Sequence, residues 1–168
     1  MLKEKEVNKL SQRNYVIFSQ TLTIVMNASS KVSNVEIANK VASTAALFRK
    51  YFPDASVNFS PWDNSQDKDW LDTMDFVFHF PGWSPAIECR AVLLQLRIEN
   101  TCQNQVPKLL GIIIRGMIIP TERWRVATIG EWEMTGTHLP QKEHKDNLFL
   151  VCKELYKLFS TTSYGNKN

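Results

Sequence analysis

The chain has 168 residues, of which 43% are hydrophobic and 22% charged, and its formal net charge is +3. This composition is that of an ordinary globular protein, and the length suits one domain with a single buried core. Basic residues are mixed with acidic ones instead of forming a stripe, so the charge pattern does not favour a nucleic-acid partner.

The sequence shows no pattern typical of export or membrane insertion. Met1 to Arg13 is polar and charged, unlike the apolar core of a signal peptide. The apolar run 109–119 is shorter than the ~18 residues of a membrane span. Cys89, Cys102 and Cys152 are odd in number and form no CxxC pair, so neither a disulfide framework nor a zinc knuckle is supported. We therefore expect a soluble, cytoplasmic protein without membrane contact.

The first predicted elements are a strand and a helix. Tyr15 to Asn27 alternates between apolar and Thr-rich polar positions, which predicts a strand. Ser33 and Glu36 have the spacing of a capping box, in which hydroxyl and carboxylate satisfy reciprocal backbone donors. Apolar positions then recur at helical intervals until Pro53, so we predict a helix that ends there.

Short and long strands follow this helix. The pattern predicts three of them, over 56–60, 75–80 and 87–99. Residues 61–73 are polar and acidic, which predicts a loop. Pro81-Gly82, together with Pro85, predicts a turn or a bulge between the second and third strands.

The clearest pattern is a hairpin predicted over 109–134, with its turn at Pro120-Thr121-Glu122-Arg123. One alternating set is apolar throughout: Leu110, Ile112, Ile114, Ile118, Trp124, Val126, Trp132 and Met134. The other set is only partly polar. A hairpin that is apolar on both faces must be covered on both faces or expose an adhesive patch.

A closing helix is predicted over 141–160, where apolar residues recur at helical spacing with lysines between them. The order of elements predicts an α+β fold, in which an antiparallel meander carries an N-terminal helix and a long C-terminal helix on one face. We divide the chain into a polar arm over 1–13, one domain over 14–160 and a flexible tail over 161–168. This order is similar to that of helix-grip proteins, in which a cavity can open between sheet and closing helix.

The segment from Trp62 to Trp83 combines aromatic rings with interleaved aspartates. Exposed rings of Trp62, Trp70 and Trp83 could anchor a partner or stack on a flat ligand. Alternatively, the rings cover the end of the sheet while the carboxylates stay solvated. A calcium loop is not favoured, because the turn glycine is missing between Asp67 and Asp72.

One predicted sheet face mixes arginine with apolar side chains. Its members are Arg97, Ile113, Arg115, Met117, Arg125, Ile129 and Glu131. Interface cores are enriched in Arg and depleted in Lys. The alternative is an ordinary exposed face, with Arg stems lying over apolar residues. Our main hypothesis is a non-catalytic interaction or assembly subunit, which binds another chain or itself through this face and the Trp-rich loop.

A second hypothesis is a small-molecule-binding domain like the helix-grip proteins. Its pocket would lie between sheet and closing helix and would be lined by Phe18, Phe48, Trp124, Trp132 and Phe159.

A third hypothesis is a metal-dependent nuclease, in which Asp75 and Glu88 hold Mg²⁺ beside Arg90. Arg is a poor substitute for the Lys that such a site uses, and these charges could instead pair across the sheet. The three histidines lack metal-ligand spacing, and there is no nucleophile elbow or phosphate loop. We therefore expect no catalytic set, metal or cofactor.

Overall fold

A computed structural model describes residues 27–62, 73–99 and 106–160. Their α-helices are α1 (Val35–Tyr51) and α2 (Lys142–Ser160). Their strands are β1 (Ser56–Asn58), β2 (Thr73–Ser84), β3 (Cys89–Ile98), β4 (Leu109–Ile118), β5 (Thr121–Ala127) and β6 (Glu133–Gly136). A short 3₁₀ turn over Ala28–Lys31 precedes α1. None of the helices in these ranges is long and apolar enough to cross a membrane.

The strands form one antiparallel sheet in the order β1-β2-β3-β4-β5-β6, so neighbours in the chain are neighbours in the sheet. Both helices contribute to a single core on one face of this sheet, where the Phe48 ring of α1 stacks on Phe78 of β2 at 3.9 Å between centroids. Lys40 of α1 donates to the Leu158 carbonyl of α2 at 2.6 Å, which joins the helices to each other. The predicted α+β class, with the helices on one side of a meander, is confirmed.

Helix α1 begins at a different cap from the predicted one. Asn34 is extended, and its side chain accepts a hydrogen bond from the backbone N–H of Ile37 at 2.9 Å. Asn caps a helix as well as Ser does, and its position one residue later makes Asn34 the N-cap. The predicted capping box of Ser33 and Glu36 is therefore wrong.

The predicted hairpin over 109–134 is also wrong in its strand count. The turn lies at Ile119-Pro120, and β5 ends at Ala127, so the segment contains three strands. Thr128 ends β5, because its hydroxyl accepts a hydrogen bond from the Ile112 N–H at 2.9 Å and contacts the Tyr156 hydroxyl of α2 at 2.7 Å. Residues beyond Thr128 can then leave the ladder before β6 begins.

Register shifts decide which apolar side chains reach the core. A shift between Arg97 and Ile98 pairs Ile98 with Leu109, and Leu109 is buried while Leu110 is exposed. Trp132 lies in the connection before β6 and is also exposed, with its ring stacked on Tyr156. Leu110 and Trp132 belong to the alternating set that is apolar throughout, yet both are exposed. A single bulge reverses the facing of every residue beyond it, which alternation alone does not reveal.

The other predicted strands are present with altered bounds. Strand β2 continues through Pro81-Gly82, and the register shifts between His79 and Ser84, so the bulge alternative describes this region. The predicted strand over 15–27 lies outside the described residues except for Asn27, which forms a parallel bridge with Asp75.

Candidate functional site

The sheet face opposite the two helices is called the open face here. Successive side chains of a strand alternate between faces, so the strand register assigns its members: Thr73, Asp75, Val77, His79, Ala91, Leu93, Gln95, Arg97, Gly111, Ile113, Arg115, Met117, Glu122, Arg125, Ala127, Glu133 and Thr135. Four of them form an apolar cluster that is separate from the core beneath the helices. This open-face cluster consists of Val77, Ala91, Leu93 and Met117.

Arginines lie beside this cluster in the middle of the face. Leu93, Arg115 and Arg125 are directly opposed on three neighbouring strands. Glu122 lies between the two arginines, with Oε2 at 2.9 Å from Arg125 Nη2 and 3.6 Å from Arg115 Nε. Burial lowers the pKa of Arg115, and repulsion by Arg125 acts in the same direction, whereas Glu122 opposes both. One carboxylate thus holds two like charges together.

A buried carboxyl lies on the same face. Asp75 is 0% exposed, and its Oδ2 accepts hydrogen bonds from Trp62 Nε1 at 2.7 Å and from Gln95 Nε2 at 3.1 Å. Burial is the largest influence on this carboxyl and raises its pKa above 3.8, while the hydrogen bonds from Trp62 and Gln95 and the charge of Arg115 act in the opposite direction.

Trp62 is held in place although 40% of it is exposed. Its backbone N–H donates to Asn27 Oδ1 at 2.9 Å, and its carbonyl accepts from Asn27 Nδ2 at 2.8 Å. With the bond from Nε1 to Asp75, three hydrogen bonds fix the backbone and the ring. An exposed ring in a fixed orientation is typical of a binding surface.

A pocket of about 360 Å³ opens on the face between Trp62 and the turn after β4. All four residues of the open-face cluster line it. The remaining lining residues are Asn58, Pro61, Trp62, His79, Ile119 and Pro120. Its volume lies in the range of small-molecule sites, which are mostly apolar with a few polar groups.

The structure brings together most of the residues predicted for an interface. Arg97, Ile113, Arg115, Met117 and Arg125 share the open face. Of the predicted interface residues that lie outside the strands, only some reach this face.

Ile129 reaches the open face from the loop after β5, because its Cγ1 lies 2.6 Å from the position that a Cβ of Gly111 would occupy. Glu131 is exposed in the same loop. Trp83 lies outside the pocket, with the Arg123 guanidinium 5.3 Å from its ring centroid. Trp70 lies outside the described residues, as do Asp67 and Asp72 of the calcium alternative.

The proposed nuclease residues are not brought together. Asp75 pairs with Gln95, seven residues along β3 from Glu88, which corresponds to roughly 20 Å of strand. Glu88 lies in the turn before β3, with a φ of +56°, and its carboxylate pairs with Arg123 at 3.1 Å. Within the described ranges, no three His, Cys, Asp or Glu side chains are arranged to hold a metal ion.

The residues predicted to line a cavity between the sheet and the closing helix do not line one there. Phe48 and Trp124 are 0% exposed, and Phe159 is 7% exposed, so these rings fill the core instead of lining a pocket there. The pocket described above lies on the opposite face, and Phe18 lies outside the described residues. The thiols of Cys89 and Cys152 are also buried, and burial raises the pKa of each to about 12, so neither is an activated nucleophile.

Local sequence patterns do not predict the contact of Asp75 with Trp62 and Gln95. One signal was present: Asp75 shares the open face of β2 with apolar Val77, and a carboxyl in such a strand requires hydrogen-bonding partners. The identity of those partners depends on pairing between distant segments, which no local pattern encodes.

Fold and site define a two-layer α+β domain, with helices on one sheet face and with arginines, apolar residues and a pocket on the other. A family model described as a domain of unknown function matches residues 29–161, so the chain belongs to that family. No curated protein and no solved structure matches the chain.

Proposed function

We propose that the chain is a non-catalytic interaction subunit that binds a different, acidic protein chain through the open face. The observation that carries this proposal is the apolar cluster of Val77, Ala91, Leu93 and Met117 beside the Arg115–Glu122–Arg125 group. An antiparallel sheet with one solvated face ordinarily alternates apolar and polar residues. Apolar side chains with arginine on the second face are instead typical of an interface core.

The charges of the face favour a partner of opposite sign. In the middle of the face, Arg97, Arg115 and Arg125 lie beside Glu122 and the fully buried Asp75, while a further carboxylate, Glu133, lies on the edge strand β6 opposite Ala127. In a symmetric dimer the same patch meets itself, so the cluster of arginines in the middle of the face would lie close to its own copy if the axis passed through it. A different chain with carboxylates at its rim would complement them, and its attraction would weaken with salt.

The partner's apolar contacts would fall on Met117 and Ile129. Met117 is partly buried against the open-face cluster, and Ile129 is 53% exposed above Gly111. A Glu at either position would place an unpaired charge in the interface. Leu150, which is 41% exposed on α2, provides a matched control on the helix side.

The test begins with the solution mass, followed by capture from the native cell extract with wild type, Met117→Glu, Ile129→Glu and Leu150→Glu. A partner of the proposed kind is retained by wild type and Leu150→Glu and lost by the other two. It is then purified, and its affinity should fall with salt and with Arg125→Glu.

Two results would contradict the proposal. One is a stable homo-oligomer that dissociates on Met117→Glu, because the face would then bind a second copy. The other is a captured partner that binds all four proteins equally.

A further inference from the structure

We propose that the pocket beside Trp62 binds a neutral, planar, largely apolar molecule, with one ring stacked on the Trp62 indole. This small-molecule site goes beyond the proposed protein interaction, although it occupies one end of the same face. Three observations carry it: the fixed orientation of Trp62, the largely apolar lining that the described residues give the pocket, and its volume.

The orientation of Trp62 prepares the indole for stacking. Both backbone polar groups are bonded to Asn27, and Nε1 donates to the buried Asp75. The polar edge of the indole is therefore already satisfied, and the ring's apolar surface is what remains for a ligand. A ligand that stacks on a ring already held in place avoids the entropic cost of ordering that side chain.

The lining determines the charge of the ligand. Among the residues that the structure describes, the lining contains no Asp, Glu, Lys or Arg, and its polar side chains are those of Asn58 and His79. An ionic ligand would lose its hydration without meeting an opposite charge. A neutral molecule loses much less, and one or two hydrogen bonds to Asn58 or His79 could orient it.

The volume of the pocket limits the size of the ligand. About 360 Å³ lies near the lower end of the range for small-molecule pockets. The open-face cluster forms the floor of the pocket, and the exposed apolar surface lies at its rim, on Trp62 and Ile119. A flat apolar molecule of two or three rings would remove this rim from water.

The probe for this site is N-phenyl-1-naphthylamine, a neutral molecule of this class whose fluorescence rises in apolar surroundings. Wild type should bind it at one site. Trp62→Ala should weaken its affinity about tenfold by removing the stacking surface. Ala91→Phe should weaken it at least as much by filling the pocket. Trp83→Ala removes an equally exposed indole outside the pocket and should leave the affinity within about twofold.

The requirement for a neutral ligand has a matched probe. 8-Anilinonaphthalene-1-sulfonate has the same rings and an added sulfonate. It should displace the neutral probe only at concentrations at least about tenfold higher. Circular dichroism identifies any variant that has lost its fold, and Ala91→Phe keeps the test valid if Trp62→Ala does not fold.

Four results would overturn the inference. They are no binding of the neutral probe, equal binding by Ala91→Phe, equal loss in Trp83→Ala, and displacement by the sulfonate at matched concentration. Arg125→Glu separates this inference from the proposed function, because it should weaken partner binding and leave the affinity for the probe unchanged. Loss of partner binding in Trp62→Ala without any probe binding to wild type would assign the pocket to the protein interface alone.

Discussion

Gly116 and Trp124 face each other on β4 and β5, and the Trp124 indole occupies the space in which a side chain at position 116 would lie. A Cβ at Gly116 would come within 2.1 Å of Trp124 Cε2. Trp124 is 0% exposed, and its Nε1 donates to the Ile87 carbonyl at 2.7 Å. This hydrogen bond fixes the ring over the glycine, so the largest buried side chain depends on the smallest residue of the neighbouring strand.

The first prediction concerns this contact. Gly116→Ala should lower the free energy of unfolding by about 3 kcal/mol, because the ring must move within a packed core. Gly82→Ala is the matched control, since nothing lies within 4 Å of a Cβ there, and it should change stability by less than about 0.5 kcal/mol. Urea denaturation measures both, and equal effects would show that the indole can move at no cost.

The second prediction concerns the start of α1. Asn34→Ala should cost about 1 kcal/mol, because the Ile37 N–H loses its acceptor. Ser33→Ala should be nearly neutral. Thermal unfolding of the two variants decides between these caps. A larger loss of stability in Ser33→Ala would support the predicted capping box instead.

The third prediction concerns the pH dependence that Asp75 confers. Burial raises its pKa above 3.8 in the folded protein, so the native state binds this proton more tightly than the unfolded chain does. Protonation of Asp75 should therefore raise the free energy of unfolding as the pH falls from neutral through the pKa of the folded state. The gain is complete below the unfolded pKa.

Asp75→Asn removes this titration. The stability of wild type relative to Asp75→Asn should rise as the pH is lowered from 7 towards 4, while contributions from other groups cancel in the difference. Urea denaturation at each pH gives the two curves. A difference that falls towards acid would mean that hydrogen bonds and Arg115 outweigh burial at this carboxyl.

The fourth prediction concerns Glu122. Glu122→Gln should cost about 1 kcal/mol at low salt, because Arg115 and Arg125 then oppose each other across β4 and β5 without their shared carboxylate. Added salt should reduce the loss by screening the repulsion. Glu133→Gln, at an exposed position on β6, is the control for removal of one negative charge from this sheet. A loss independent of salt would assign Glu122 a packing role instead.

Local sequence patterns predict most of the described elements and the fold class. Helix α2 was predictable from Leu148, Val151, Leu155 and Phe159, because their helical spacing forms one apolar stripe whatever it packs against. Strands β1 to β5 were likewise predictable from local alternation, whereas β6 was not recognised as a separate strand. Sequential strands between two helices lead to an antiparallel meander, since a short connection brings consecutive strands together.

The candidate site, in contrast, depends on contacts between distant segments. Trp62, Asp75 and Gln95 lie far apart in the sequence and meet through pairing of β2 with β3 and the path of the chain after β1. Bulges also changed which residues face the helices, as Leu109 and Leu110 show. Periodicity is a local property of the sequence, and it indicates whether a segment forms a helix or a strand. Register and the side of the sheet that holds a pocket depend on contacts between distant segments, so they are fixed only when the whole sheet has formed.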